Sequence, residues 1–186
     1  MPPKIKITRE DIINAAVDIV KKEGAQAMNA RTIAAKLNCS TQPVFSNFTT
    51  MDELRFAVVE KIDALCQEYM SHEVEKGEFP AYKANGMAYI RFAKEEKELF
   101  KLLYMRDRSE EVIPESTTAS DEMMEIVHHN TGLDSETAKL FHLEMWAYVH
   151  GIATMFATGF LNLEWELVSK MLTDSYQGLR KQYGLE

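Results

Sequence analysis

Residues 30–48, ARTIAAKLNCSTQPVFSNF, decide how the N-terminal part of this chain folds. In the first half of this stretch, Ile33, Ala34 and Leu37 have the spacing of one buried helix face. The letters NCS at 38–40 follow as a short turn. The stretch therefore predicts a short helix, a tight turn and then a second short helix.

The second short helix is predicted to begin at a polar cap, Ser40 or Thr41. Pro43 is tolerated in its first turn because the first N–H groups of a helix have no intrahelical partner to lose. At 100° per residue, Val44 and Phe48 share the side that would pack. The opposite side is uncharged and carries Gln42 and Ser46, with Pro43 and Phe45 at its edges.

A longer helix precedes these two. Thr8, followed by acidic residues and an apolar series, predicts a capped helix that ends at Gly24. The two short helices that follow, joined by a tight turn and with a polar outward face on the second, form the helix-turn-helix arrangement, whose second helix lies in the major groove of DNA.

The distribution of charge agrees with such a module. Residues 1–48 carry seven basic and four acidic side chains, a net charge of +3, although the whole chain has a net charge of −8. The remaining residues carry 14 basic and 25 acidic side chains, a net charge of −11. This asymmetry indicates a basic module that approaches an anion, attached to an acidic body.

The body is predicted to be helical as well, which makes the chain an all-α protein of about nine helices. Few glycines and prolines and little strand-like alternation favour this class. The predicted helices after the first three span 51–74, 80–93, 95–106, 115–130, 135–160 and 163–183. The polar segment 107–120 is predicted to be a mobile loop.

The residues RTIAAKLNCSTQPVFSNFTTMDEL (31–54) resemble the DNA-binding signature of the TetR/AcrR family of bacterial repressors. The shared features include Thr32, Ala34, Ser40, Phe48 and Leu54, and the resemblance covers about residues 8–54. MWAYVHG (145–151) is similar to the Trp-His-Gly pattern of one C-terminal subclass. The resemblance implies a helix-turn-helix DNA-binding domain at 1–50 and a helical effector-binding and dimerisation domain at 51–186.

Two positions depart from the family pattern. Phe45 stands where the family usually has a tyrosine, whose hydroxyl typically reaches a phosphate, and Met51 stands where it usually has a lysine. Both departures remove a contact to the DNA backbone, so we expect either a lower DNA affinity or a greater dependence on Lys4, Lys6, Lys36 and helix N-termini.

The predicted DNA-binding residues follow from the outward face and the nearby basic side chains. Gln42 can pair with an adenine edge and Ser46 can serve a base or a phosphate, unless this face is merely solvated. Pro43 either meets a thymine methyl group or only pre-sets the helix, and Arg31 either reaches DNA or is a surface charge. The full predicted set is Lys4, Lys6, Arg31, Lys36, Thr41, Gln42, Pro43, Phe45, Ser46 and Asn47.

The resemblance also implies a small-molecule effector and a homodimer. Eleven methionines and many aromatic residues suit an adaptable apolar cavity, although each such residue taken singly is typical of a core. The candidate pocket residues are Tyr69, Met87, Phe92, Leu103, Tyr104, Met124, Trp146 and His150. The two C-terminal helices form a four-helix dimer interface in the resembled family, and the candidate interface residues are Met155, Phe156, Leu167, Met171, Leu172 and Tyr176.

Other classes of protein find little support. The sequence has no Gly-rich phosphate loop, nucleophile elbow or metallohydrolase motif, so we expect neither an enzyme nor a cofactor. His128 and His129 would point about 100° apart on a helix, so we expect no metal site. No apolar run has the length of a membrane helix, no secretory signal is evident, and Cys39 and Cys66 suit a reducing compartment, so a cytoplasmic protein is expected.

The sequence therefore predicts a homodimeric transcriptional regulator, a repressor that binds a palindromic operator and is released by a lipophilic or aromatic effector. The alternative is a helical adaptor that binds protein through its acidic body and whose helix-turn-helix is structural only. A gel shift at two salt concentrations separates them, because only the repressor should give a specific band that weakens steeply with salt.

Overall fold

The computed structural model describes residues 7–108 and 120–185, and these ranges are largely helical. They contain nine α-helices, one 3-10 turn (Ala25–Ala27) and no β-strand, so the predicted all-α class is confirmed. The helices are α1 (Arg9–Glu23), α2 (Ala30–Lys36), α3 (Gln42–Asn47), α4 (Met51–Glu75), α5 (Ala81–Glu95), α6 (Lys97–Tyr104), α7 (Asp121–Thr131), α8 (Ser135–Thr158) and α9 (Trp165–Gln182).

The predicted helix bounds agree with the observed ones to within about two residues, except at the start of α7, which begins at Asp121 behind the Ser120 cap and not at the predicted residue 115. Differences of about two residues are usual at helix ends, which fray. Residues 109–119 lie outside the described ranges, and with them most of the predicted loop 107–120 and the predicted start of the helix 115–130.

Local side-chain chemistry explains where the N-terminal helices begin and end. The Asp11 amide donates to the Thr8 hydroxyl over 3.1 Å and the Thr8 amide donates to the Asp11 carboxylate over 2.8 Å, a reciprocal cap at the start of α1. The hydrogen bonds that the Thr8 amide and the Thr8 hydroxyl donate to the Asp11 carboxylate lower the pKa of Asp11. Helix α1 ends at Gly24, whose φ of 84° a residue with a side chain rarely adopts.

The turn between α2 and α3 forms as the sequence predicts. The Asn29 side chain accepts hydrogen bonds from two amides at the start of α2. Asn38 turns the chain after α2 with a φ of 51°, a left-handed conformation that asparagine tolerates better than most residues. Thr41 is the cap residue of α3 but makes no side-chain capping hydrogen bond, so Pro43 in the first turn is the stronger start signal.

The chain divides into two compact units. Unit 1 consists of the described parts of Met1–Gln67 and Glu96–Arg106, and unit 2 of those of Glu68–Glu95 and Asp107–Glu186. In unit 1, α1 packs against α2, α3 and α6. In unit 2, α5 packs against α7, α8 and α9. The functional division into 1–50 and 51–186 stays a prediction.

Two tyrosine–histidine hydrogen bonds join α5 to α8 within unit 2. The Tyr82 hydroxyl lies 3.0 Å from Nδ1 of His142, and the Tyr89 hydroxyl lies 2.9 Å from Nδ1 of His150. His142 is buried, so its hydrogen bond satisfies a polar ring inside the core. Both histidines therefore have a packing role that their sequence positions alone do not reveal.

Candidate nucleic-acid interface

Helix α3 has the two faces that its sequence predicts. Val44 and Phe48 are almost completely buried. Gln42, Phe45 and Ser46 are exposed, and Phe45 keeps 54% of its surface accessible. An exposed phenylalanine beside an uncharged amide and hydroxyl adds little to solubility, so this face has the composition of a contact surface.

Two side chains of α3 donate hydrogen bonds to their own helix. The Ser46 hydroxyl donates to the Gln42 carbonyl over 2.9 Å, and the Asn47 amide donates to the Pro43 carbonyl over 2.8 Å. While its bond holds, the Ser46 hydroxyl can offer a ligand only its lone pairs. The Gln42 side chain has no hydrogen-bond partner within residues 7–108 and 120–185, which leaves its donors and acceptor for a ligand.

The basic residues predicted to bind DNA have different surroundings. Arg31 is exposed in the first turn of α2. Lys36 is exposed as well, but its Nζ lies 3.1 Å from an Asp18 carboxylate oxygen, which offsets part of its charge. Lys4 and Lys6 lie outside the described residues.

The structure adds a residue that the sequence interpretation missed. Nη1 of Arg9 donates to the Asn47 carbonyl oxygen over 2.7 Å and to Oε1 of Glu53 over 2.9 Å. The Arg9 guanidinium also lies 3.9 Å from the centre of the Phe48 ring. The other carboxylate oxygen of Glu53 accepts the Thr49 amide over 2.7 Å. Arg9 thus joins the starts of α1 and α4 to the end of α3.

The electrostatics of this group fit an ion pair. The pKa of Glu53 is lowered, chiefly by the hydrogen bond from the Thr49 backbone and then by the one from Arg9. One signal in the sequence could have indicated the role of Arg9, since it is a cation in the first turn of a helix, where the helix dipole disfavours positive charge. A cation at this position therefore indicates an acidic partner elsewhere in the fold, which here is Glu53.

The predicted effector residues fall into separate groups. Leu103 and Tyr104 belong to unit 1, where the Tyr104 hydroxyl lies 3.7 Å from Sγ of Cys66. In unit 2, the Tyr69 and Phe92 rings meet edge to face with their centres 5.6 Å apart. Met87 is buried in α5, and Met124 packs against the cluster around Val127.

Trp146 and His150 form the remaining pair of predicted pocket residues. Their rings stack with centres 4.9 Å apart, and burial lowers the pKa of His150, which favours the neutral ring. The contacts therefore pair Tyr69 with Phe92 and Trp146 with His150, and the binding role of the predicted set stays a prediction.

The predicted dimer residues divide into buried and accessible ones. Phe156 and Leu172 are buried within the chain, and a Cβ built on Gly86 of α5 would lie 3.4 Å from Cδ1 of Leu172. Met155, Met171 and Tyr176 are partly exposed, and Leu167 keeps 46% of its surface accessible. On the same two helices, the exposed apolar residues also include Leu140, Leu143 and Tyr148.

The described residues also bear on metal binding and on membrane insertion. These residues contain no group of three histidine, cysteine or acidic side chains placed to hold a metal ion. None of the described helices has the combination of length and apolar character that crossing a membrane requires.

The chain is similar to known proteins over half of its length in one case and over nearly all of it in others. Residues 82–174, half of the chain, match the family described as the tetracyclin repressor-like C-terminal domain. A TetR-like transcriptional regulator from Rhodococcus sp. RHA1 is 17% identical with a TM-score of 0.67, and the match covers 99% of each chain. A comparison with curated protein sequences gave no match.

Two further solved structures are similar. A protein of unknown function from Rhodococcus sp. RHA1 is 21% identical with a TM-score of 0.72, over 96% of this chain and 98% of the other. The multidrug binding protein EbrR, complexed with imidazole, is 19% identical with a TM-score of 0.57, over 90% of this chain and 88% of the other. At these identities the likeness concerns the fold.

Proposed function

Because this chain belongs to the TetR family of transcriptional regulators, we propose that it is a homodimeric repressor that reads a palindromic operator through α3 and is released by a small lipophilic or aromatic effector. The observation that carries the DNA-binding part is the outward face of α3. That face exposes Gln42, Phe45 and Ser46, while Val44 and Phe48 hold the helix in place from the other side.

The proposed contacts differ between Gln42 and Phe45 of α3 and the basic residues of α2. The Gln42 amide carries both donors and an acceptor, so it can pair with the N6 and N7 atoms of an adenine. The Phe45 ring can offer only van der Waals contact to sugar or to a thymine methyl group. Arg31 and Lys36 are proposed to contact phosphates, which position the protein without reading sequence.

We propose that the protein binds DNA as a dimer, which would make the DNA site symmetric. Two copies would place their α3 helices in successive major grooves about 34–36 Å apart, and the operator would therefore be a palindrome. We assign the interface to the accessible apolar residues of α8 and α9, namely Leu140, Leu143, Met155, Leu167 and Met171. Phe156 and Leu172, which were also predicted for the interface, are excluded from the proposed interface because they are buried within the chain.

The proposed effector acts through the body. A body built from methionine and aromatic side chains favours an apolar or aromatic compound over a sugar or a nucleotide. The similarity to a multidrug binding protein supports this class of ligand. Such a compound releases DNA only if it binds more tightly to a conformation whose α3 spacing no longer fits the operator.

The experiment that tests the DNA-binding proposal is the selection of bound duplexes from a random pool. We expect a palindrome whose half-sites lie about one helical turn apart. Gln42→Ala should then weaken binding to that duplex by roughly 1–3 kcal/mol and leave binding to random DNA almost unchanged. Gln177→Ala, at an exposed amide on α9, is the matched control and should bind like the parent protein.

Two outcomes of that experiment would count against the proposal. Equal losses for Gln42→Ala on selected and random DNA would remove its base-reading role. Recovery of no enriched sequence at any salt concentration would favour the adaptor function. For the effector, thermal-shift screening should enrich hydrophobic compounds that also weaken DNA binding, and compounds that stabilise the protein without changing DNA affinity would contradict ligand control.

A further inference from the structure

We propose that Arg9 is a positioning residue for DNA recognition: it holds the C-terminal end of α3 at a set angle, and so places Gln42 and Ser46 against the bases. This inference rests on the proposed function, because it concerns the residue that orients the reading helix. Arg9 lies at the start of α1, and it acts on the DNA through α3 rather than by touching the bases.

The need for such a residue follows from the length of α3. The helix has only six residues, Gln42–Asn47, which is far too short to be stable alone. The carbonyl groups of its last turn have no partner within the helix. Nη1 of Arg9 donates to one of them, the Asn47 carbonyl, over 2.7 Å. One end of the reading helix is thereby attached to α1.

A second set of contacts fixes the direction of the attachment. The Arg9 guanidinium lies over the Phe48 ring at 3.9 Å and also donates to Glu53 over 2.9 Å. Glu53, in the first turn of α4, accepts the Thr49 amide with its other oxygen over 2.7 Å. The residues that follow α3 are therefore held from two sides, by Arg9 and by Glu53.

The exposure of the Arg9–Glu53 ion pair indicates that it positions α3 and contributes little to the stability of the fold. The side chains of Arg9 and Glu53 keep 47% and 40% of their surface accessible. Ion pairs with such exposure contribute little to the free energy of folding, because water screens them. Loss of the pair should therefore leave the protein folded, while the end of α3 gains freedom and its base contacts lose their alignment.

The variants Arg9→Gln and Arg9→Lys test this proposal on the full-length protein. A lysine keeps the charge but lacks the planar guanidinium group, which lies over Phe48 while its Nη1 bonds both acceptors. We expect both variants to bind the selected duplex about tenfold or more weakly, the equivalent of one lost base contact, and to bind random DNA almost as the controls do. Glu53→Gln should give the same pattern, with no further loss in the double variant Arg9→Gln/Glu53→Gln.

Arg55→Gln is the matched control. Like Arg9, Arg55 is exposed, lies near the start of a helix (α4) and pairs with a carboxylate, that of Asp52 at 2.8 Å. The variant Arg55→Gln removes the same charge, and within the described residues the hydrogen bond and ion pair of Arg55 go to Asp52 and not to α3. If Arg9→Gln and Arg55→Gln behave alike on both duplexes, the positioning role is refuted.

The competing role for Arg9 is a direct phosphate contact. In that case Arg9→Lys would bind like the parent protein, and Arg9→Gln would weaken binding to all duplexes and lower the salt slope by about 0.9. Positioning instead predicts that the salt slopes of Arg9→Gln and Arg55→Gln agree. Parent-like binding by Arg9→Lys would overturn the proposal, and so would a loss by Arg9→Gln on all duplexes with a lower salt slope.

A measurement without DNA keeps this test separate from the proposed function. Hydrogen exchange of the Thr49 and Phe48 amides should be faster in Arg9→Gln than in Arg55→Gln, while the amides of α2 exchange alike in both. If the parent protein binds no DNA, the proposed function fails, yet the exchange experiment still decides whether Arg9 holds the end of α3. Unchanged exchange at these two amides would refute the attachment.

Discussion

Replacing Phe45 by tyrosine should tighten DNA binding. The family that the sequence resembles usually has a tyrosine here, whose hydroxyl typically reaches a phosphate, whereas this chain has a plain ring. Because Phe45 is 54% exposed, an added hydroxyl meets water rather than core atoms in the free protein. The unbound fold should therefore change in stability by no more than about 0.5 kcal/mol.

The gain can be bounded from two opposing effects. A hydrogen bond to a charged phosphate oxygen contributes about 1.5–3 kcal/mol, and removing the hydroxyl from water on binding costs about 1–2 kcal/mol. The net gain is about 1 kcal/mol, or roughly a fivefold lower dissociation constant. Since phosphate contacts carry no sequence information, the gain should be equal on matched and scrambled duplexes.

The assay is a titration of both proteins against the two duplexes at several salt concentrations. The salt slope should hardly change, because a neutral hydroxyl displaces no counterion. Phe56→Tyr is the matched control, since Phe56 on α4 is also exposed, at 66%, and no DNA contact is proposed for it. Unchanged or weaker binding by Phe45→Tyr alone would refute the reasoning, and would show that the contact surface of α3 excludes this ring.

Two other predictions concern assembly and the cysteines. Leu143→Glu, on the exposed face of α8, should give monomers with nearly the parent unfolding temperature. Leu172→Glu should instead destabilise the chain by about 3–5 kcal/mol, because Leu172 is buried against α5. Ultracentrifugation and thermal unfolding distinguish the two variants, and a parent protein that is monomeric at micromolar concentration would contradict the interface. A thiol reagent at pH 8 should modify the partly exposed Cys39 and spare Cys66, whose burial raises its pKa to about 11. Because the folded-state pKa of Cys66 is the higher one, this thiol favours folding below about pH 9, and the free energy of unfolding should fall by about 1.4 kcal/mol per pH unit only between about pH 9 and 11. Equal labelling of both cysteines in the folded protein would contradict the labelling prediction, and a free energy of unfolding that stays level over this pH range would contradict the linkage.

Local patterns were enough to predict the helices of the N-terminal segment. The spacing of Val44 and Phe48, the proline at 43 and the cap at Thr8 all act within one or two helical turns, so their meaning does not depend on the rest of the fold. The structure places each of them as predicted. The start signal at Thr41 was the weaker part, because its hydroxyl makes no capping bond.

Contacts between distant residues could not be predicted in the same way. Arg9 is separated by 38 residues from Asn47 and by 44 from Glu53, and no periodicity connects them. The apolar faces of α8 and α9 raise a related difficulty. A sequence shows that Phe156 and Leu172 are to be buried, but it does not show whether the covering surface belongs to the same chain or to a second copy.

The two tyrosine–histidine hydrogen bonds have a mechanical consequence for unit 2. Tyr82 and Tyr89 are two turns apart on α5, and their partners His142 and His150 are about two turns apart on α8. A single hydrogen bond would still let one helix rotate about it. The two bonds Tyr82–His142 and Tyr89–His150, called here the brace, resist both sliding and rotation of α5 on α8. A slide of one turn, about 5.4 Å, would break both bonds together. A compound that separates α5 from α8 must therefore break the whole brace, whereas one that leaves it intact can act only by moving the helices around this braced pair.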